Sequence, residues 1–176
     1  MKQLLIVLTL ILTLSCCKDD DVTPINPIDQ LPSATQTGAN TFGCLLDGKA
    51  FLPDGRHLSL DCVYQFVDGG YHFALQGNRR DNNSILIKLG IGTQNLEINQ
   101  NQTYDIAQHE DGYTSGVYFF GTFINYTTST YTGKLTITKL DQINQIVSGT
   151  FWYDIKDHND VVHHIREGRF DMHYTQ

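Results

Sequence analysis

Cys16 and Cys17 stand side by side at the end of an apolar stretch, in the run Leu14-Ser15-Cys16-Cys17-Lys18-Asp19-Asp20-Asp21. The chemistry that needs a thiol at such a place is lipid transfer. The sulfur is alkylated by diacylglycerol, the preceding peptide bond is cut, and the new amino terminus is acylated. The run has the pattern of a bacterial lipobox. Cys16 is preferred, because small Ser15 then precedes the cut with Leu14 and Thr13 behind it; Cys17 is the alternative, preceded by Cys16 with Leu14 three residues back. Lys2 and the apolar residues 4–14, broken by Thr9 and Thr13, complete a secretory signal over residues 1–15. A membrane-crossing helix needs roughly 20 apolar residues, so this stretch is too short to stay as a span. At about 0.8 kcal/mol per buried methylene, two or three acyl chains would hold the mature protein on a membrane. An ordinary signal peptide that leaves both cysteines in place is the competing reading.

The remaining thiols are Cys44 and Cys62. An exported chain meets oxidising conditions, so a disulfide between them is one reading, and its loop of about 18 residues would stabilise by roughly 3 kcal/mol. Two buried, unpaired cysteines acting as small apolar residues is the other. Seven histidines invite a metal, but His163 and His164 are adjacent and leave a strand on opposite faces. Pairing of His164 with His158 or His173 matches no metal spacing, so no metal or other cofactor is expected. Asp154, Asp157, Asn159 and Asp160 read as turn formers, without the Gly and Glu of a calcium loop. Glu97, Glu110 and Glu167 are the only glutamates, and nothing in the spacing brings two together as hydrolysis of a glycoside would require. No nucleophile elbow, phosphate loop or dinucleotide fingerprint is present, so no catalytic residue is assigned. Aromatic residues are the remaining candidates: Trp152, with Tyr118 and Phe120, could form a surface that stacks on sugars or fills a partner's pocket, or could pack inside.

These residues need elements to position them, and the composition says which kind. The chain has 176 residues with 40% hydrophobic, 11% aromatic and 18% charged side chains, suited to one domain rich in strands. A net charge of -7 argues against a nucleic-acid partner. Residues 16–37 hold an acidic cluster and a Pro-, Asn- and Gln-containing tract without apolar periodicity, which reads as a tether; the domain follows over 38–176. There, period-2 alternation marks strands at 58–66, 71–76, 84–91, 134–140, 145–156 and 161–174, with less regular ones at 102–107 and 117–125. Cys62 is expected to point inward, as are Phe170, Met172 and Tyr174, with Arg169, Asp171 and His173 outward. Asp47-Gly48 between apolar runs predicts a type I′ hairpin. About nine or ten strands with frequent turns and no helix predict an all-β fold, a single antiparallel β-sandwich or an up-and-down barrel.

The run Leu31-Pro32-Ser33-Ala34-Thr35-Gln36-Thr37-Gly38-Ala39-Asn40-Thr41-Phe42-Gly43-Cys44 resembles the opening block of a family of uncharacterised Bacteroidota lipoproteins, and Glu167-Gly168-Arg169-Phe170-Asp171 resembles its closing block. The likeness implies a lipid-anchored all-β domain and brings no catalytic residues with it. In such surface lipoproteins, Lys18 with the following aspartates looks like an export signal to the outer face; a solvated linker is the alternative.

The expectation is therefore an outer-membrane lipoprotein, facing the periplasm or the cell surface, that serves as a binding or structural module. Its partners would be the membrane through its lipid and a glycan or an envelope protein. Alternatives are an enzyme acting on envelope or dietary glycans and a lipocalin-like carrier, which would need a closed barrel with an open mouth.

Overall fold

The computed structural model describes residues 26–55 and 58–176. Residues 1–15, read from sequence as a signal peptide, and the lipidation candidates Cys16 and Cys17 lie outside the described residues. Eleven strands follow in order: β1 Thr41–Leu46, β2 Lys49–Phe51, β3 Leu60–Val67, β4 Gly70–Arg80, β5 Leu86–Thr93, β6 Gln102–Ile106, β7 Thr114–Phe120, β8 Phe123–Tyr126, β9 Gly133–Asp141, β10 Ile146–Lys156 and β11 Val162–His173. The all-β expectation holds. The strand count exceeds nine or ten partly because the run 117–125, read as one strand, is a hairpin: Phe120 pairs with Phe123 around Gly121, whose φ of 65° suits a tight turn.

The strands form one path, β2-β1-β11-β10-β9-β6-β7-β5-β4-β3, with β8 on the free part of β7. The sheet does not close into a barrel and is consistent with a sandwich. It folds over at β6 and β7, which share a single parallel pairing, Ile106 with Thr114. The layer β2-β1-β11-β10-β9-β6 thus faces the layer β3-β4-β5-β7-β8. Phe73 of β4 packs 6.3 Å from Phe170 of β11, and the Tyr153 hydroxyl of β10 donates across the core to Val117 O at 2.9 Å and Gly90 O at 3.2 Å. Leu75, Leu89, Ile91, Leu135, Ile137 and Ile155 fill the space between, as the alternation in their strands requires. Packed side chains occupy the interior that a carrier would leave open.

Two of the Asp-Gly pairs make tight hairpins. Asp47 and Gly48 have φ of 51° and 76°, and Asp68 and Gly69 have 51° and 84°, the left-handed pairs that a right-twisted hairpin favours. The two ends of the alternating run 58–66 do not face the core: Leu58 lies before β3 with φ of 66° and is 73% exposed, and Phe66 is 63% exposed.

The tether is described only from residue 26, and from there the chain is held against the domain. Pro27–Gln30 form a short 3-10 turn, Leu31 is buried, and residues 35–39 run as a strap over β11. Six hydrogen bonds converge on Asp171. Oδ2 accepts from the hydroxyls of Thr35 (2.7 Å) and Thr37 (3.2 Å) and from the N–H groups of Thr37 (2.8 Å) and Ala39 (3.2 Å); Oδ1 accepts from Gly38 N and Ser148 Oγ, both at 2.8 Å. Asp171 lies on the outer side of its strand, as the alternation predicts, yet it is fully buried because the strap covers it. Residues 35–39 are thus held against β11, and the opening and closing segments 31–44 and 167–171 lie against each other.

Candidate functional site

A concavity of about 560 Å³ opens on the outer face of the layer β3-β4-β5-β7-β8. Its shape follows from register. Ala74 pairs with Gly92, Gln76 with Gly90, Gly90 with Val117 and Gly92 with Ser115, so the small residues of three strands meet in adjacent rows. Side chains of normal size stand around them and the floor is left low.

The two walls differ in character. On one side Asp61 of β3 and His72 and Gln76 of β4 point outward, and among the described residues none of these three side chains has a hydrogen-bond partner. On the other side stand Phe119, Ile124 and Tyr126, set by the β7-β8 hairpin in which Phe119 pairs with Ile124 and Val117 with Tyr126. Ile124 is 53% exposed. Lys88 closes one end, with its ammonium 5.6 Å from the Phe119 ring centre. His109 closes the other: its ring stacks on Tyr126 at 3.9 Å, and its Nδ1 lies 3.1 Å from Ser115 Oγ.

The serine and histidine are not arranged for nucleophilic attack. Ser115 is buried beneath the ring, where its hydroxyl fixes His109, and the lining holds one carboxylate, Asp61. A glycosidase needs two.

Gly92 carries a further sign. A strand favours branched or aromatic residues, and a Cβ here would meet only Phe73 O, at 3.4 Å, an ordinary contact. The fold has room for a Cβ, so packing at that atom does not account for the bare position. At Gly90 a Cβ would come within 2.9 Å of Leu75 O, so packing alone favours glycine there.

The residues proposed from sequence for a ligand surface do not assemble. Tyr118 is 5% exposed and sits in the core, with Phe120 packed against it, both on the inner side of β7. Burial, with the charges of Asp157 and Asp47, pushes the Tyr118 phenol up to about 12. Trp152 is 39% exposed on the outer side of β10 in the opposite layer. There a bulge sets Arg166 and Glu167 of β11 against Trp152 alone, Glu167 taking φ of 53°. The bulge lays the Arg166 guanidinium 5.3 Å from the indole centre. A shallow groove of about 650 Å³ runs past it, but its cations are already engaged: Arg166 with Asp154 at 2.6 Å, Arg169 with Glu167 at 3.7 Å, and Lys134 with Asp105.

No family model, curated protein or solved structure matches the chain.

Cys44 and Cys62 are free thiols, both buried, so the bridge left open by the sequence is not formed. Cys44 faces the core opposite Phe51 and Cys62 opposite Leu75, each filling an apolar position. Burial pushes both thiols well above the usual range, which keeps them protonated and unreactive. His163 and His164 separate as expected, His163 to Asp47 and His164 to Asp154, each at 2.7 Å. Among the described residues no group of three or more His, Cys, Asp or Glu could hold a metal ion.

Alternation alone could not reveal the concavity. Its signal is Gly90 and Gly92 on one outward row, which read locally as weak strand residues.

Proposed function

We propose that this chain is a lipid-anchored binding module of the bacterial outer envelope, held through Cys16, or Cys17, at the periplasmic or cell surface. The apolar stretch and the Ser15-Cys16-Cys17 run support the anchor. Binding is favoured over a purely structural role by one observation: a concave face with a bare floor, an aromatic wall and three polar side chains left without hydrogen bonds among the described residues. A surface serving only as packing or as solvated exterior has no use for a hollow that costs strand propensity at Gly92. The single carboxylate in the lining favours binding over glycan hydrolysis, and the filled interior disfavours a carrier.

The reading is tested by filling the hollow. Ala74 points outward and is exposed, so Ala74→Phe leaves the core untouched. The full chain should be retained on envelope polysaccharide or envelope protein fractions, and the variant should lose at least tenfold in retention. Equal retention of both would contradict the assignment.

A further inference from the structure

Resting on that reading, we propose that the concavity takes a neutral pyranose unit of a glycan. The ring's C–H face lies on the wall of Phe119 and Tyr126, and its hydroxyls turn to Asp61, Gln76 and His72. The two walls face each other over a floor that offers only backbone and small side chains. A ligand that satisfies both needs an apolar face and a polar edge on one rigid body, which is what a pyranose presents.

The polar wall narrows the chemistry further. A carboxylate such as Asp61 offers acceptors, the Gln76 amide both donates and accepts, and the His72 ring adds two further nitrogens, so together they can read groups that are donor and acceptor at once, as hydroxyls are. An alkyl chain would bury these three without partners, at a cost for each. An extended peptide would need free backbone groups, but across the floor β4, β5 and β7 pair with one another, and the outer edges at Ala74, Gln76 and Val117 are taken by β3 and β8. Charge points the same way. Lys88 is balanced by Asp61 within the hollow, and the chain as a whole carries -7, which repels a polyanion. The aromatic wall is held in place, since His109, at one end of the hollow, stacks on Tyr126 and is itself fixed by Ser115. A preformed platform of this kind loses little freedom on binding.

The test is calorimetric titration of the detergent-solubilised full chain with neutral hexasaccharides of glucose, xylose and mannose, alongside polygalacturonate, palmitate and an extended polyvaline-threonine peptide. At least one neutral oligosaccharide is expected to bind. Ala74→Phe should weaken it at least tenfold and Asp61→Asn severalfold, while Trp152→Ala leaves it unchanged. Gly92→Val provides a second blocking variant should Ala74→Phe fold poorly. If only palmitate, the polyanion or the peptide binds, and Ala74→Phe abolishes it, the sugar assignment is overturned while the binding module stands. If nothing binds, or no binding responds to either blocking variant in folded protein, both readings fall.

Discussion

The backbone N–H of Gly38 donates to Oδ1 of Asp171 at 2.8 Å, across 133 residues of sequence. This bond is the centre of a clasp between the start of the domain and its last strand. Gly38 has φ of 76°, which favours glycine, and a Cβ there would fall 2.4 Å from Cε1 of His173 and push that ring aside. The clasp explains how a strap with almost no apolar content stays ordered: a carboxylate accepting several N–H and O–H groups replaces the missing hydrophobic contacts.

Asp171→Ala would leave six donors facing a void, and Asp171→Asn would turn an amide N–H₂ toward donors on one side or the other. Either variant is expected to lose about 2–4 kcal/mol of stability, measured by denaturant unfolding. The acid dependence has a definite sign. Burial alone would raise the Asp171 pKa, but the hydrogen bonds from Thr35, Thr37, Ser148 and Gly38 outweigh it and hold the carboxyl well below the usual range. A folded pKa below the unfolded one gives stability that is fully present above about pH 4 and is lost as pH falls toward the folded value. Wild-type unfolding midpoints should therefore drop below about pH 4 more steeply than those of Asp171→Asn, which has no proton to take up at this position.

Gly92→Val should separate stability from binding. The new Cβ makes only an ordinary contact, with Phe73 O at 3.4 Å, on the outer face, where a β-branched residue suits the strand better than glycine. A gain of roughly 0.5–1 kcal/mol in denaturant unfolding is expected, together with loss of ligand retention. A variant that is destabilised by as much would show that glycine is there for packing.

The thiols should behave as buried core atoms. Cys44 and Cys62 are expected to resist iodoacetamide in the folded protein at pH 8, and to become fully alkylated without any reductant once unfolded. Peptide mapping that finds them joined by a disulfide would contradict the structure.

Much of the fold is legible in the chain because its signals are local. Alternation at Cys62 and Tyr64, at Ile87, Leu89 and Ile91, and at Phe170 and Met172 gives the correct inner faces, and Asp47-Gly48 gives its hairpin. The run 117–125 was harder, because Val117 and Phe119 on one side and Tyr118 and Phe120 on the other are all apolar. Periodicity then cannot say which row faces the core, and the Gly121 turn is hidden among rings. Tyr118 consequently reads as a candidate for the surface when it is core. The clasp is invisible for a different reason. Asp171 looks like any outward polar residue until a segment more than 130 positions away is laid over it. The concavity fails to show because it exists only in the register of β4, β5 and β7, which places Ala74, Gly90, Gly92 and Ser115 side by side.

The assignment of binding to this face is tested most directly by backbone amide NMR shifts of the isotope-labelled chain, titrated with a neutral hexasaccharide that it binds. Shifts should concentrate at Gly90, Gly92, Ser115 and Val117, with the amides of Thr150 and Trp152 unmoved. Shifts centred on Thr150, Trp152 and Gly168, with the floor of β5 unchanged, would place binding on the opposite layer and contradict it.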